Sequence, residues 1–60
     1  MKGTNRVINT IARKVGCDRE TAEMILNGCA QVNGNAYTAY ECDGILTICM
    51  NGWQIYQRRL

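Results

Sequence analysis

The chain has 60 residues, of which 47% are hydrophobic and 20% are charged, and its formal net charge at pH 7 is +2. This apolar share excludes a disordered chain, and the length predicts a single domain over residues 1–60 with a small core. Because so small a core contributes little stability and the net charge is low, we expect a homodimer but no obligatory polyanionic partner.

Nothing near the start of the sequence predicts export or membrane insertion. The apolar runs fall well short of the roughly 20 residues that cross a bilayer. Lys2 is followed by polar residues and by Arg6, and this pattern does not match a secretory signal. The sequence therefore predicts a cytoplasmic protein with no membrane partner.

The first predicted element is an amphipathic helix over residues 5–15. Thr4 is expected to cap it, because a threonine hydroxyl can accept a hydrogen bond from a free N–H of the first turn. Apolar side chains at helical spacing predict one buried face. These side chains are Val7, Ile8, Ile11, Ala12 and Val15.

A second helix is predicted after a short turn at Gly16. Glycine takes the positive φ that a tight helix ending requires, and Asp18 is the expected N-cap of the next helix. We expect this helix to end or distort between residues 28 and 32. Its inner face is predicted to hold Ala22, Ile25, Leu26 and Cys29.

The second half of the sequence predicts a three-stranded antiparallel meander. Asp43-Gly44 and Asn51-Gly52 each separate two β-prone runs, which is a strong signal for a two-residue hairpin turn. Asn33-Gly34 is interpreted as the stop of the helical half. With strands expected at 36–42, 45–50 and 53–58, the predicted fold class is α+β, with two N-terminal helices packed on three strands (ααβββ).

The two hairpin turns also predict which side of the sheet is buried. Two-residue turns place Cys42 opposite Ile45 and Met50 opposite Trp53. Both turns independently sort the strongest apolar side chains onto one face. That buried face is predicted to hold Tyr37, Ala39, Leu46, Ile48, Met50, Trp53 and Ile55.

The four cysteines, at positions 17, 29, 42 and 49, do not form a metal-binding motif. Zinc ligands usually occur as close pairs, whereas here no two cysteines are close and histidine is absent. Without a secretion signal the thiols are expected to be reduced. We interpret them as small apolar residues of the interior, and we predict no metal and no cofactor.

Residues typical of catalytic sites are sparse. Histidine, the commonest general base, is absent. Asp18 and Asp43 have structural explanations as a helix cap and a turn residue, and no glycine-rich phosphate loop follows a predicted strand. Cys17, near Lys14, is the one faint candidate for a nucleophile. An enzyme is therefore not expected.

Several residues between positions 8 and 27 follow the pattern of a tight helix pair. Ala12 is small where the helices would cross, Gly16 lies in the turn, and Cys17 is the apolar residue after it. Thr21-Ala22 and Ile25 also fit. The segment resembles the helix-turn-helix unit of lactose-repressor-type and phage-repressor-type regulators, which implies DNA binding with the second helix facing the major groove.

The resemblance assigns DNA contacts to the second helix. The residues that would face the major groove are Asp18, Arg19, Glu20, Glu23 and Met24. In the alternative arrangement the first helix contacts phosphates instead, through Arg6, Arg13 and Lys14. Glutamate can accept a hydrogen bond from cytosine. The carboxylates nevertheless oppose the phosphate attraction that dominates DNA affinity.

The second face of the predicted sheet offers a different kind of site. Tyr40, Ile45, Tyr56 and Arg58 are expected on this face, which one helix pair cannot also cover. A surface of this mixed, part-apolar kind is typical of a protein–protein interface. Stacking of single-stranded bases on the tyrosines is a further alternative.

Two functions from different classes remain open. The first is a small, non-enzymatic regulator of transcription, of phage or prophage type, that binds DNA through its helix-turn-helix. The second is an inhibitor or adaptor that docks on a host or partner protein through the sheet face or the acidic helix. A steep loss of binding with added salt would favour the first.

Overall fold

The computed structural model describes residues 2–60, with side chains from residue 5 onward. Its elements in chain order are α1 Lys2–Val15, α2 Arg19–Asn27, β1 Ala30–Val32, β2 Asn35–Cys42, β3 Ile45–Met50 and β4 Trp53–Arg59. Each strand pairs antiparallel with the next, so the sheet order is β1-β2-β3-β4. The α+β class is confirmed, but the three-stranded meander is wrong because the sheet has four strands.

Helix α1 is longer than predicted. It begins at Lys2 rather than at residue 5, so Thr4 lies inside the helix and not at its N-cap. The core-facing side chains fall on one stripe, as the amphipathic pattern requires. They are Val7, Ile8 and Ile11, with Ala12 and Val15 packed at the edge of the same core.

The turn between the helices and the cap of α2 form as predicted. Gly16 has a φ of 84°, and the N–H groups of Gly16 and Cys17 both donate to the Ala12 carbonyl oxygen, at 2.8 and 3.0 Å. This is the left-handed ending that satisfies the last carbonyls of a helix. Asp18 then accepts a hydrogen bond from the Thr21 N–H at 3.1 Å and caps α2.

The strand missing from the prediction is β1. Helix α2 ends at Asn27, with Gly28 as its C-cap. Asn33 and Gly34 have φ values of 52° and 83°, and two positive values in succession are typical of a type I′ hairpin turn. The pair predicted only to stop the helical half therefore joins β1 to β2.

The other two hairpins form as predicted. In both Asp43-Gly44 and Asn51-Gly52 each residue has a positive φ, between 53° and 86°. This geometry matches the twist of the flanking strands and fixes their register. The predicted pairs are confirmed: Cys42 lies opposite Ile45, and Met50 lies opposite Trp53.

A β-bulge interrupts the pairing of β3 with β4. Cys49 pairs with Gln54, but the preceding residue, Ile48, pairs with Tyr56. Ile55 is therefore the extra residue of the bulged strand. Because side chains alternate along a strand, one inserted residue exchanges the two faces for everything that follows it.

The bulge reverses the sidedness of the last part of β4. Tyr56 and Arg58 pair with Ile48 and Leu46, whose side chains are buried in the core beneath the helices. Tyr56 and Arg58 therefore lie on the helix-covered face, and their predicted place on the opposite face is wrong. Gln57 lies instead on that opposite side, which we call the far face.

The core lies between the two helices and the centre of the sheet. Most of the predicted inner sheet face is buried, but Trp53 is 74% exposed and Ile55 is 44% exposed, so their predicted burial is wrong. Helix α2 contacts β1 and β2, whereas Trp53 opens β4 at the other edge of the sheet. The buried apolar residues are Val7, Ile8, Ile11, Ala22, Ile25, Ala30, Tyr37, Ala39, Leu46 and Ile48.

The size of the surface is ordinary for a chain of this mass. The accessible area is 4114 Å², close to the value of about 3,900 Å² expected for a monomeric protein of 6.7 kDa. The fold thus has no unusually large uncovered area, and the homodimer stays a prediction. Within residues 2–60, neither helix has the length and apolar character needed to traverse a lipid bilayer.

Candidate nucleic-acid interface

A concave groove lies between α1 and the C-terminal end of β4, and its volume is about 730 Å³. Four of its lining residues are arginines, and none is an aspartate or a glutamate. Positive charges gathered along a concave surface focus the potential and attract anions. The lining residues are Asn5, Arg6, Asn9, Thr10, Arg13, Arg58, Arg59 and Leu60.

Helical spacing builds the first wall of this groove. Arg6, Asn9 and Arg13 follow one another at intervals of three and four residues, so they share one exposed stripe of α1. Asn5 lies one turn before Asn9 on the same side. The buried Thr10 donates its hydroxyl to the Arg6 carbonyl oxygen at 2.9 Å. That hydroxyl is satisfied within the helix, so arginine and asparagine side chains supply the donors facing the groove.

The end of β4 builds the second wall. Arg58 and Arg59 are its last two residues, and both side chains are exposed. The N–H of Leu60 donates to the Gly44 carbonyl oxygen at 2.7 Å, and Leu60 packs against the core. These contacts hold the end of the strand in place. Arg58 is paired with Leu46 and lies on the helix-covered face, towards α1, whereas Arg59 is paired with Ile45 of the far face; both residues line the groove.

Arg19 joins the two helices beside the groove. Its Nη2 donates to Oδ1 of Asn5 at 2.9 Å, and Asn5 is itself a lining residue. The guanidinium group of Arg19 is therefore directed towards α1 and placed at the Asn5 end of the groove. Arg13 and Arg19, both predicted to contact DNA, lie on this same basic side of the molecule.

Lys14 has a different environment from its neighbour Arg13. Its Nζ lies over the ring of Tyr56, 4.7 Å from the ring centroid, and Lys14 does not line the groove. A cation over the face of an aromatic ring is attracted by the ring electrons. Lys14 therefore connects α1 to β4, although it was predicted to be a DNA-contacting residue.

The predicted acidic contacts lie away from the groove. Glu20 and Glu23 are exposed on α2, which begins just after the capping carboxylate of Asp18. Between them and the C-terminal end of the helix lies Met24, which is 52% exposed. The structure thus does not gather the predicted DNA-binding residues at one site.

The predicted protein interface is also divided. Tyr40 and Ile45 lie on the far face. Tyr56 and Arg58 lie on the helix-covered face, because the extra residue at the bulge reverses the sidedness of the strand after Ile55. On the far face Tyr40 and Gln57 flank Thr47, and Gln57 Nε2 donates to Thr47 Oγ1 at 3.1 Å. A glutamine stands where a tyrosine was predicted, so this face is more polar than expected.

The four cysteines are all free thiols. Cys17 and Cys49 are half-buried, but Cys29 and Cys42 are exposed, so their interpretation as interior residues is wrong for two of the four. Burial, and to a lesser degree the adjacent Asp18 carboxylate, raise the pKa of the Cys17 thiol. Among the described residues, no three Cys, Asp or Glu side chains come together as a metal site.

The sequence contained only part of the signal for the groove. Arg6 and Arg13 at a seven-residue spacing were recognisable as one helix face, but Arg58 and Arg59 are far away in the sequence. Their position beside α1 depends on the β4 register and on its bulge.

The charged and amide side chains brought together in the groove have no nucleophile or general base among them, and they suit the binding of an anion. Comparison with protein-family models, with curated proteins and with solved structures finds no match for the chain.

Proposed function

We propose that this chain is a small DNA-binding protein of the transcription-regulator class that holds the phosphate backbone in the groove between α1 and β4. The observation that carries the proposal is the set of four arginines lining that groove without an acidic side chain. The planar guanidinium group donates in pairs to phosphate oxygens. Phosphate contacts supply most of the affinity of such proteins for DNA.

The distribution of charge supports the proposal more strongly than the net charge does. Of the seven Lys and Arg residues, four line the groove, and Arg19 is held beside it by Asn5. The five Asp and Glu residues all lie outside the lining. A net charge of only +2 therefore conceals one strongly basic surface.

The helix pair supports the same class of function with a changed geometry. The Gly16 turn and the Asp18 cap provide the compact connection that a helix-turn-helix unit requires. The acidic start of α2 is poorly suited to lie against phosphates, whereas the basic stripe of α1 is well suited. We therefore assign the phosphate contacts to α1 and β4 rather than to the outer face of α2.

Two adjacent residues of α1 provide a matched test. Arg13→Gln and Lys14→Gln each remove one positive charge from the same helix, but only Arg13 lines the groove. By fluorescence anisotropy with labelled duplex DNA from upstream of the protein's own coding region, Arg13→Gln should weaken binding about tenfold at about 50 mM salt. Lys14→Gln should change the affinity by less than about threefold, because the Lys14 ammonium lies over the Tyr56 ring and outside the groove, and makes no phosphate contact there.

Far-UV circular dichroism of both variants controls for folding, and both substituted side chains are exposed. Equal losses of affinity for the two variants would contradict the placement of phosphate in this groove. Absence of binding by the unmodified protein at low salt would overturn the DNA-binding proposal itself.

A second candidate function is docking on a host or partner protein as an inhibitor or adaptor. It is favoured by the exposure of Met24 on the acidic helix and of Tyr40 on the far face, at 52% and 54%. Exposed large side chains of this kind are typical anchors of protein interfaces. Capture of one partner from nuclease-treated host lysate, lost with Met24→Ser or Tyr40→Ser but retained with Arg13→Gln, would support it against the DNA-binding proposal.

A further inference from the structure

We infer that the ligand of the groove is double-stranded DNA bound through its backbone, without selection of a base sequence. This inference rests on the proposed function: it keeps the binding of DNA in the groove and replaces the reading of one operator sequence, which a helix-turn-helix regulator implies, with the binding of duplexes of any sequence. It follows from three features of the described residues: the absence of an aromatic ring in the groove lining, the concave shape of the basic surface, and the negative charge at the exposed start of α2.

No aromatic ring lies where a base could stack in the groove. The lining consists of arginine, asparagine, threonine and leucine side chains. Tyr37 is buried, the ring of Tyr56 is covered by Lys14, and Tyr40 lies on the far face. Trp53 is exposed but begins β4, at the opposite end of the strand from the groove. Proteins that bind single strands rely on rings that stack on successive bases, so this groove lacks their main source of affinity.

The concave shape of the basic surface suits the sugar-phosphate backbone of DNA rather than the edges of its bases. Arg6 and Arg13 on one wall are separated by about 10 Å along the helix axis, and Arg58 and Arg59 form the other wall. The sugar-phosphate backbone of a duplex is a ridge dense in negative charge, and a concave site can receive it. Base edges instead lie at the floor of a major groove about 12 Å wide, which only a protruding element can enter.

Helix α2, which the Arg19–Asn5 hydrogen bond joins to the groove wall, is unsuited to read bases. The exposed side chains near the start of α2 include Asp18, Glu20 and Glu23, with Arg19 drawn towards Asn5. Inserting three carboxylates between two rows of phosphates would be opposed by repulsion. Contacts to phosphate position a protein on DNA but carry no sequence information, so a protein that makes only these contacts binds all duplexes alike.

The test uses the full chain and three fluorescent probes: two unrelated duplexes of about 20 base pairs and one of the corresponding single strands. Between about 50 and 300 mM salt, four phosphate contacts predict a slope of log K against log[salt] of about −3.6 for both duplexes. Their dissociation constants should agree within about threefold, and the single strand should bind at least about tenfold more weakly.

Two sets of variants complete the test. Arg58→Gln should reduce the magnitude of the slope by about 0.9 for either duplex. The double substitution Glu20→Gln and Glu23→Gln should change either affinity by less than about threefold, since these carboxylates lie off the bound backbone.

A preference above about tenfold for one duplex, or tighter binding of the single strand, would overturn this inference while leaving DNA binding intact. A large gain in affinity on neutralising Glu20 and Glu23 would also overturn this inference, because it would place α2 against the DNA. Failure of all three probes to bind would instead overturn the proposed function, so the two failures are distinguishable.

Discussion

Lys14 and Tyr56 connect the end of α1 to the middle of β4, with Nζ of Lys14 4.7 Å from the centroid of the Tyr56 ring. The bulge at Ile55 is the condition for this contact, because in a regular strand Tyr56 would lie on the far face. The same inversion turns Arg58 towards α1. One inserted residue thus both ties the helix to the edge strand and supplies the second wall of the basic groove.

Removal of the Tyr56 ring should therefore cost more stability than removal of the Tyr40 ring. Tyr56 is half-buried against the core and lies beneath Lys14, so Tyr56→Ala should lower the free energy of unfolding by about 2 kcal/mol. Tyr40→Ala, at a 54% exposed position, should cost less than about 1 kcal/mol. Urea unfolding followed by far-UV circular dichroism measures both. A larger cost for Tyr40→Ala would contradict the packing of Tyr56 beneath Lys14 on the helix-covered face.

Asn51 should contribute more to stability than Asn33, although both occupy the first position of a type I′ turn with φ values of 53° and 52°. Asn51 Oδ1 accepts from the Ala36 N–H at 3.0 Å, and its Nδ2 donates to Asn35 at 3.1 Å. It thereby ties the β3–β4 turn to the start of β2.

Both Asn→Ala substitutions introduce the same backbone strain at positive φ, so their difference isolates these side-chain hydrogen bonds. Asn51→Ala should be less stable than Asn33→Ala by about 1 kcal/mol in equilibrium unfolding. Equal destabilisation by the two substitutions would mean that Asn51 contributes only through its turn conformation and not through its side-chain hydrogen bonds.

These turns also show which part of the fold the sequence could specify. Asp43-Gly44 and Asn51-Gly52 are local signals, because two residues that tolerate positive φ determine the turn type and the register beside it. Gly16 and Asp18 act in the same local way at the helix ends. Each of these predictions needed only a few neighbouring residues, and each agrees with the structure.

Features that depend on distant contacts could not be predicted in this way. Asn33-Gly34 carries the same turn signal, but the three-residue strand before it is too short to show an alternating pattern, so β1 was missed. The bulge at Ile55 has no sequence signature, since neither Gly nor Pro marks it. Without the bulge the groove was not predictable, because Arg58 and α1 are brought together only by the final register of β4.

The four thiols should fall into two kinetic classes. Cys29 and Cys42 are exposed, whereas Cys17 and Cys49 are half-buried; burial also raises the pKa of the Cys17 thiol and so lowers its thiolate fraction. In a reaction with Ellman's reagent at neutral pH, we expect two rapid and two slow equivalents, separated by about tenfold in rate. Cys29→Ser should remove a rapid phase, and Cys17→Ser should remove a slow one. A fast Cys17 would indicate that the turn between the helices opens readily.

The cap of α2 should make stability depend on acid pH. Hydrogen bonds donated by Thr21, from its side chain and its backbone N–H, lower the pKa of the Asp18 carboxyl. A lowered folded-state pKa means that this stabilisation is fully present above the unfolded pKa of about 3.9 and is lost as the pH falls through the folded value.

The control for this pH dependence is Asp18→Asn, which keeps a capping oxygen but cannot ionise. Asp18→Ala should lower the urea midpoint at pH 7 more than Asp18→Asn does. As the pH falls through the folded-state pKa of Asp18, the unmodified protein should converge with Asp18→Asn, whereas Asp18→Ala, which has no capping oxygen, should keep its deficit relative to Asp18→Asn. A difference between Asp18→Ala and the unmodified protein that persists unchanged into acid would assign the effect to packing rather than to the charged cap.

The arginines of the groove should reduce the stability of the unliganded protein, because four like charges line one surface without an acidic side chain among them. Arg58→Gln should therefore leave the free energy of unfolding unchanged or raise it by up to about 0.5 kcal/mol at low salt. Lys14→Gln removes the same charge but also the contact with the Tyr56 ring, and should lower stability by about 0.5 to 1 kcal/mol.

A change of salt concentration separates charge repulsion in the groove from the direct contact between Lys14 and the Tyr56 ring. At about 1 M salt the Debye length falls to about 3 Å, so relief of repulsion by Arg58→Gln should disappear while the deficit of Lys14→Gln, a direct contact, should largely remain. Thermal unfolding at low and high salt provides the comparison. A destabilised Arg58→Gln at both salt concentrations would mean that this arginine supports the fold. Its position in the groove would then be explained by packing rather than by phosphate binding.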